Sequence, residues 1–165
     1  MKYLIILISL LYSNILLSQS ADDCMSNLSI FAEYYKVKNY DSAYEPWMEV
    51  RKNCPKINVA SYTYGKRMLE NFIKESLKKG DEGVGDAKKY QQDLLNLYDE
   101  WLINFPEYRG RKIVGEIISN KAQVMVDYKL ASNQEIYNIF NNAYNEDRSS
   151  FDDPKPLYNL SLIHI

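Results

Sequence analysis

The sequence predicts an all-α protein of about six helices paired into antiparallel hairpins, and three observations carry that reading. Apolar residues recur at three- and four-residue spacing over long stretches, which is the buried stripe of an amphipathic helix. Gly and Pro together supply only 11 of 165 residues, below the usual combined share of about 12%, so turns are few and elements long. No run of alternating apolar and polar residues is long enough to make a strand.

Composition then narrows the function classes. The chain is 46% hydrophobic and 25% charged with a formal net charge of -2, inside the range of ordinary globular proteins. Its 20 basic residues stand against 22 acidic ones without a basic block, so there is no electrostatic footprint for nucleic acid. A single His, two Cys and no glycine-rich phosphate loop leave no cofactor and no metal expected.

Both ends are expected to stand outside the fold. Residues 1–20 read as a secretory signal, with Lys2 as the positive start and an uncharged, mostly apolar run from Tyr3 to Leu17 that is short for a membrane span. Ser18 and Ser20 place small residues for cleavage before Ala21. A retained N-terminal anchor helix is the alternative. The last six residues, Leu160 to Ile165, resemble the translation of a transposase mosaic end used to tag DNA for sequencing. They are set aside as a scar, and with them the only histidine, His164. The expected layout is a signal at 1–20, a helical domain at 21–145, a linker or the start of a further region at 146–159, and the scar at 160–165.

Helix 1 is expected from Ser26 to about Lys38, with Leu28, Ile30, Phe31, Tyr34, Tyr35 and Val37 at helical spacing. After a short turn at Asn39 to Asp41, helix 2 carries Ala43, Tyr44, Trp47, Met48 and Val50 and ends at Pro55. Pro46 lies inside it, where a missing N–H and a steric clash with the preceding turn cost about 3 kcal/mol, so this helix should start late or kink. Helix 3 spans about Ala60 to Lys79, with Gly80 as its stop. Helix 4 runs from Asp86 as N-cap to Phe105, before Pro106. Helix 5 covers about Arg111 to Leu130. Helix 6 opens at Ser132 or Asn133, since Glu135 follows Ser132 in capping-box spacing, and packs Ile136, Tyr137, Ile139, Phe140 and Ala143. Asp152 to Pro156 read as linker.

Cys24 precedes helix 1 and Cys54 ends helix 2, and in an antiparallel hairpin those two points lie side by side. A structural disulfide is the expectation, and on the chain-entropy estimate it contributes about 3.5 kcal/mol. Two free thiols, or a redox or metal role, are the alternatives, and the latter is weakened by the absence of a C-x-x-C pair and of a usable His.

The spacing of Tyr40, Ala43, Trp47, Val50 and Pro55 resembles the tetratricopeptide repeat family, in which an aromatic, a small Ala, a large aromatic, a small residue and a closing Pro recur in that order. The second hairpin keeps Gly65, Tyr98, Trp101 and Pro106, with a large Trp at the small-residue site. The third keeps Gly115, Phe140 and Ala143 and lacks the closing Pro. The large aromatics Trp47, Tyr98 and Phe140 are 51 and 42 residues apart, longer than the ~34-residue standard period, so the repeats are divergent and lengthened. The string from Leu28 to Pro55, with K-N-Y-D-S-A-Y-E-P-W and V-R-K-N-C-P, is similar to exported repeat proteins of Bacteroidetes that have no defined biochemical activity. The resemblance implies hairpins stacked as a short solenoid, each burying against its neighbour the apolar face it cannot bury alone.

It also implies a ligand-facing groove on the first helix of each hairpin: Leu28, Ala32, Tyr35 and Lys36 in the first, Tyr62, Lys66 and Glu70 in the second, Lys112, Glu116 and Asn120 in the third. An ordinary solvated face is the alternative, with Leu28 or Tyr35 simply in the core. Trp47 and Trp101 sit among Leu and Tyr at helical spacing and are expected in the core. Glu33, Glu45, Glu49, Glu70, Glu75, Glu100 and Glu116 supply carboxylates, two of which could make an acid and base pair, but nothing in the sequence singles out a pair. The expected function is a non-catalytic scaffold exported to the periplasm, cell surface or medium, binding a protein or peptide of the cell envelope, with no membrane span in the mature chain. An envelope-anchored structural subunit and a carboxylate-dependent hydrolase are the rivals.

Overall fold

The computed structural model describes residues 22–150. The expected signal segment and the expected scar lie outside the described residues, as does the expected linker from residue 151 onward. The fold is all-α: six helices and one two-stranded hairpin are described. The chain divides into two compact units with the boundary between Ser61 and Tyr62.

In the first unit, helix α1 covers residues 22–36 and α2 covers Tyr40–Asn53. The turn between them is closed twice by the backbone. Lys38 takes a positive φ of 59°, and the N–H groups of Lys38 and Asn39 donate to the carbonyls of Tyr35 and Tyr34 at 3.0 Å each, which is the Schellman pattern with Lys in the place usually given to Gly. Asn39 then caps α2 by accepting from the Ser42 N–H at 3.3 Å. Ala43, Trp47 and Val50, one helical stripe, are fully buried together with Phe31 of α1. The Trp47 indole donates to the Ser61 carbonyl at 2.8 Å, so this large apolar ring leaves no buried donor unpaired. Of the two expectations for Pro46, the late start is corrected. Helix α2 starts at Tyr40 and runs through Pro46 to Asn53, with the buried residues Ala43, Trp47 and Val50 on both sides of the proline. The expected disulfide is present, joining Cys24 and Cys54 with their Cα atoms 6.0 Å apart.

The second unit begins in the first turn of α3, Ala60–Lys78. Gly80, at φ +64°, ends that helix, and a single 3-10 turn over Gly80–Gly83 leads into α4, Val84–Asn104. Gly83 is required here, since a Cβ would stand 1.8 Å from the Ser76 carbonyl oxygen. The two helices run antiparallel. Tyr62 packs on Phe105 and Trp101 at 5.6 and 5.8 Å at one end, and Phe72 stacks on Tyr90 at 5.0 Å at the other. Buried residues lie around most of α4, namely Ala87, Gln91, Leu94, Leu95, Leu97 and Tyr98, as befits a helix covered on more than one side.

Between α4 and α5 the expectations of no strand and of a helix starting at about Arg111 are corrected. Glu107–Tyr108 and Arg111–Lys112 form a short antiparallel hairpin, turned by Arg109 and Gly110 with φ of 53° and 76°, the two positive values of a type I′ turn. Helix α5 therefore starts at Val114, not Arg111, and runs to Tyr128. Lys129 ends it in the left-handed region, again with Schellman bonds to Val126 and Met125. Helix α6, Asn133–Glu146, opens with the capping box expected of Ser132 and Glu135. Its Ile136 and Phe140 pack with Ala122 of α5 in a small apolar cluster.

The folded region continues past the expected end at residue 145. Asp147 is buried, and its carboxylate accepts from the Gly115 N–H at 3.2 Å. Helix α5 has Ile113 at its N-cap with no side-chain bond, so Asp147 supplies from a distance the acceptor that a local Ser or Asp normally provides.

Candidate functional site

In the second unit, α3 and α5 both run antiparallel to α4 and leave between them an open groove of about 550 Å³. Helix α3 contributes Glu70, Lys74 and Lys78 at four-residue spacing with Leu77 beside the last, and α5 contributes Val124, Asp127 and Tyr128. Val124 is buried at the base and Leu77 is exposed. The walls thus offer an aliphatic strip bounded by charges of both signs.

Those charges differ in how far they are already engaged. The Lys78 ammonium sits 2.7 Å from Glu75. That hydrogen bond, with added attraction from Lys78 and Lys74, holds the Glu75 carboxyl below its usual range. Lys66 lies 3.8 Å from Glu70, one turn further along the helix. Asp127 accepts from the Gln123 side-chain amide at 2.6 Å.

Two tyrosines stand close to Glu70. Burial, and after it the charges of Glu70 and Asp127, raises the Tyr128 phenol above its ordinary range. Burial pushes Tyr98 up much further, with Glu70 and Tyr128 adding to it. Both therefore stay neutral across the physiological range. The Tyr98 hydroxyl has no hydrogen-bond partner among the described residues, and neither do the Trp101 indole N–H and the Ser119 hydroxyl. Unpaired buried polar atoms are uncommon, and Tyr98 places one of them beside Glu70 and Tyr128.

The residues expected to face a ligand are dispersed by the structure. Glu70 lines the groove and Lys66 supports it by the ion pair just described. Tyr62 is corrected from groove to core: it is 1% exposed, packed on Trp101 and Phe105, and its hydroxyl accepts from Asn104 at 2.9 Å. Its ring is large enough that burial outweighs the value of an exposed contact. Lys112 is corrected from helix to hairpin, with its ammonium 3.9 Å from Glu146. Glu116 is exposed near the start of α5, 3.6 Å from Arg111, and Asn120 donates to the Glu116 carbonyl at 2.9 Å. In the first unit, Leu28 and Ala32 are half-buried beside Phe31 and Lys36 is exposed, paired with Glu33 at 2.7 Å. Tyr35 stands between the rings of Phe31 and Tyr40 at 6.0 and 5.6 Å.

On α5 the groove wall was missed by the sequence reading. The carried-over positions stop at Asn120, whereas the wall lies one and two turns further on. Continuing the same face by four residues from Asn120 reaches Val124 and then Tyr128, and continuing from Glu70 reaches Lys74 and Lys78. Helical periodicity was the signal available. Trp47 is buried as expected, whereas Trp101 is half-buried.

Among the described residues no cluster of three or more His, Cys, Asp or Glu side chains is placed to hold a metal ion. No helix among them is long and apolar enough to cross a membrane. No family model matches the chain, and neither does any curated protein or any solved structure.

Proposed function

We propose that this protein is a non-catalytic interaction scaffold of tetratricopeptide-repeat type, exported from the cell, whose α3/α5 groove holds a segment of a protein partner in the cell envelope. The observation that carries the reading is the groove itself. It opens between the first helices of two successive helical hairpins, where the repeat resemblance puts its ligand face, and its length is marked by Glu70, Lys74 and Lys78 at four-residue spacing. An aliphatic strip flanked by acids and lysines suits a peptide or helix held by one apolar side chain and oriented by polar ones. Export agrees with the Cys24–Cys54 disulfide, since such bonds persist in oxidising compartments.

A photo-crosslinking amino acid at Lys74 or Tyr128 should give discrete crosslinks to a protein partner in the cell that makes this chain. The same probe at Lys88, exposed on α4, should give none. Equal labelling from Lys74 and Lys88, or no protein adduct from either groove position, would remove the scaffold reading.

A further inference from the structure

The charges on the two walls of the α3/α5 groove do not cancel, and what is left over specifies an occupant. On α3, Lys78 is tied to Glu75 at 2.7 Å and Lys66 stands 3.8 Å from Glu70. Lys74 is left without an ion pair among the described residues and acts on its own helix only as a charge neighbouring Glu75. On α5, Asp127 accepts from the Gln123 amide at 2.6 Å and meets no cation among the described residues. Both Lys74 and Asp127 are exposed and both line the groove. Each wall therefore keeps one unanswered charge, and the two are of opposite sign.

Between these charges lies the aliphatic strip, with Leu77 47% exposed and Val124 5% exposed. Both walls are helices, and over their C-terminal halves the backbone N–H groups already bond within the helix. An extended strand laid here would find no row of backbone partners. A helix brings its own backbone bonds and needs only side-chain contacts. A helix that lies along two others presents an apolar line with a polar flank on either side, and in coiled coils the charges on those flanks choose the partner.

We infer that the occupant of the groove is an amphipathic helix of a protein partner, with aliphatic side chains on Leu77 and Val124, carboxylates on the flank that meets Lys74, and lysines or arginines on the flank that meets Asp127. The inference rests on the scaffold reading above and adds the shape and charge of the partner to it. A helix with the same sign on both flanks sets like charges against one wall and is selected against.

The test is a titration of the full chain at low ionic strength, followed by backbone amide chemical shifts. The probes are alanine-based peptides of about 20 residues, long enough to be helical alone, with two leucines one turn apart. One peptide carries Glu on one flank of the leucines and Lys on the other, and three controls carry Glu on both, Lys on both or Gln on both. The bipolar peptide should give saturable shifts at residues 74–78 and 124–128 and bind about three- to tenfold tighter than each control, as exposed ion pairs contribute modestly. Asp127→Lys makes both walls basic and should move the preference to the Glu peptide. Lys74→Glu makes both walls acidic and should move it to the Lys peptide. Both positions are exposed, and unchanged amide shifts outside the groove verify that the variants fold. Equal binding of the Gln peptide, a preference that neither variant moves, or no saturable shift with any peptide overturns the inference. Crosslinks from Tyr128 in the cell separate that failure from failure of the scaffold reading. If they persist, the scaffold stands with an occupant of another kind, and if they are absent both readings fall.

Discussion

Two neighbouring glycines do opposite work. Gly83 is buried where any Cβ would meet the Ser76 carbonyl at 1.8 Å, so Gly83→Ala must push backbone against backbone and should cost about 1–3 kcal/mol. Gly85 lies exposed in the first turn of α4 with nothing within 4 Å of a Cβ. Gly85→Ala should stabilise by about 0.5–1 kcal/mol, because Ala has less backbone freedom to lose on entering a helix. Urea midpoints of the two variants should therefore move in opposite directions, and a common direction would contradict the close approach at Gly83. The cysteines make a third point. Cys24 and Cys54 were legible from sequence because only chain order and antiparallel pairing enter the argument. Their replacement by Cys24→Ser with Cys54→Ser should lower stability by about 3 kcal/mol, read by the same denaturation. Tyr62, in contrast, could not be assigned from its position in a repeat. Whether a tyrosine faces a ligand or the core depends on what the next helix brings to it, here Trp101 and Phe105.

At the scale of elements, the ends of helices α5 and α6 are held by different means and should fail differently. Helix α6 is capped locally. The Glu135 carboxylate accepts from the Ser132 hydroxyl and backbone N–H, and these bonds hold its carboxyl below the usual range. A folded-state value below the unfolded one makes this contribution present above the unfolded carboxyl range and lost as pH falls through the folded value. Acid should therefore loosen α6, and Ser132→Ala, which itself costs about 1 kcal/mol, should flatten that acid limb when helicity is followed by circular dichroism between pH 6 and pH 2. Helix α5 is capped by Asp147, 32 residues away from Gly115. Asp147→Ala leaves a buried N–H unpaired and should cost about 1–3 kcal/mol, with faster amide hydrogen exchange at Gly115 than in the parent chain. Slower or unchanged exchange would mean that the contact does not hold the helix. The α6 box was readable from sequence because its two partners are three residues apart. The α5 cap was not, because nothing local announces it. The hairpin at 107–112 escapes for a related reason: four paired residues are too few to show a period of two, and the helical pattern of α5 reads backwards over Arg111 and Lys112.

For the whole molecule, the sequence by itself determined the all-α class, the stretches that become helices, the Asn39 turn, the Ser132 cap and the disulfide. Each of these depends on residues close along the chain, or on the simple fact that consecutive helices turn back on one another. Periodicity marks which face of a helix is apolar, and turn residues mark where it stops, so class and element order follow from local physics. Only the tertiary structure decided which part of those helices becomes a site. The α3/α5 groove exists because α4 holds two parallel helices apart over their C-terminal halves, which brings Glu70, Lys74 and Lys78 across from Val124, Asp127 and Tyr128. These are distances between residues far apart in sequence, set by packing that fills the space between helices, and no spacing along one strand of letters encodes them.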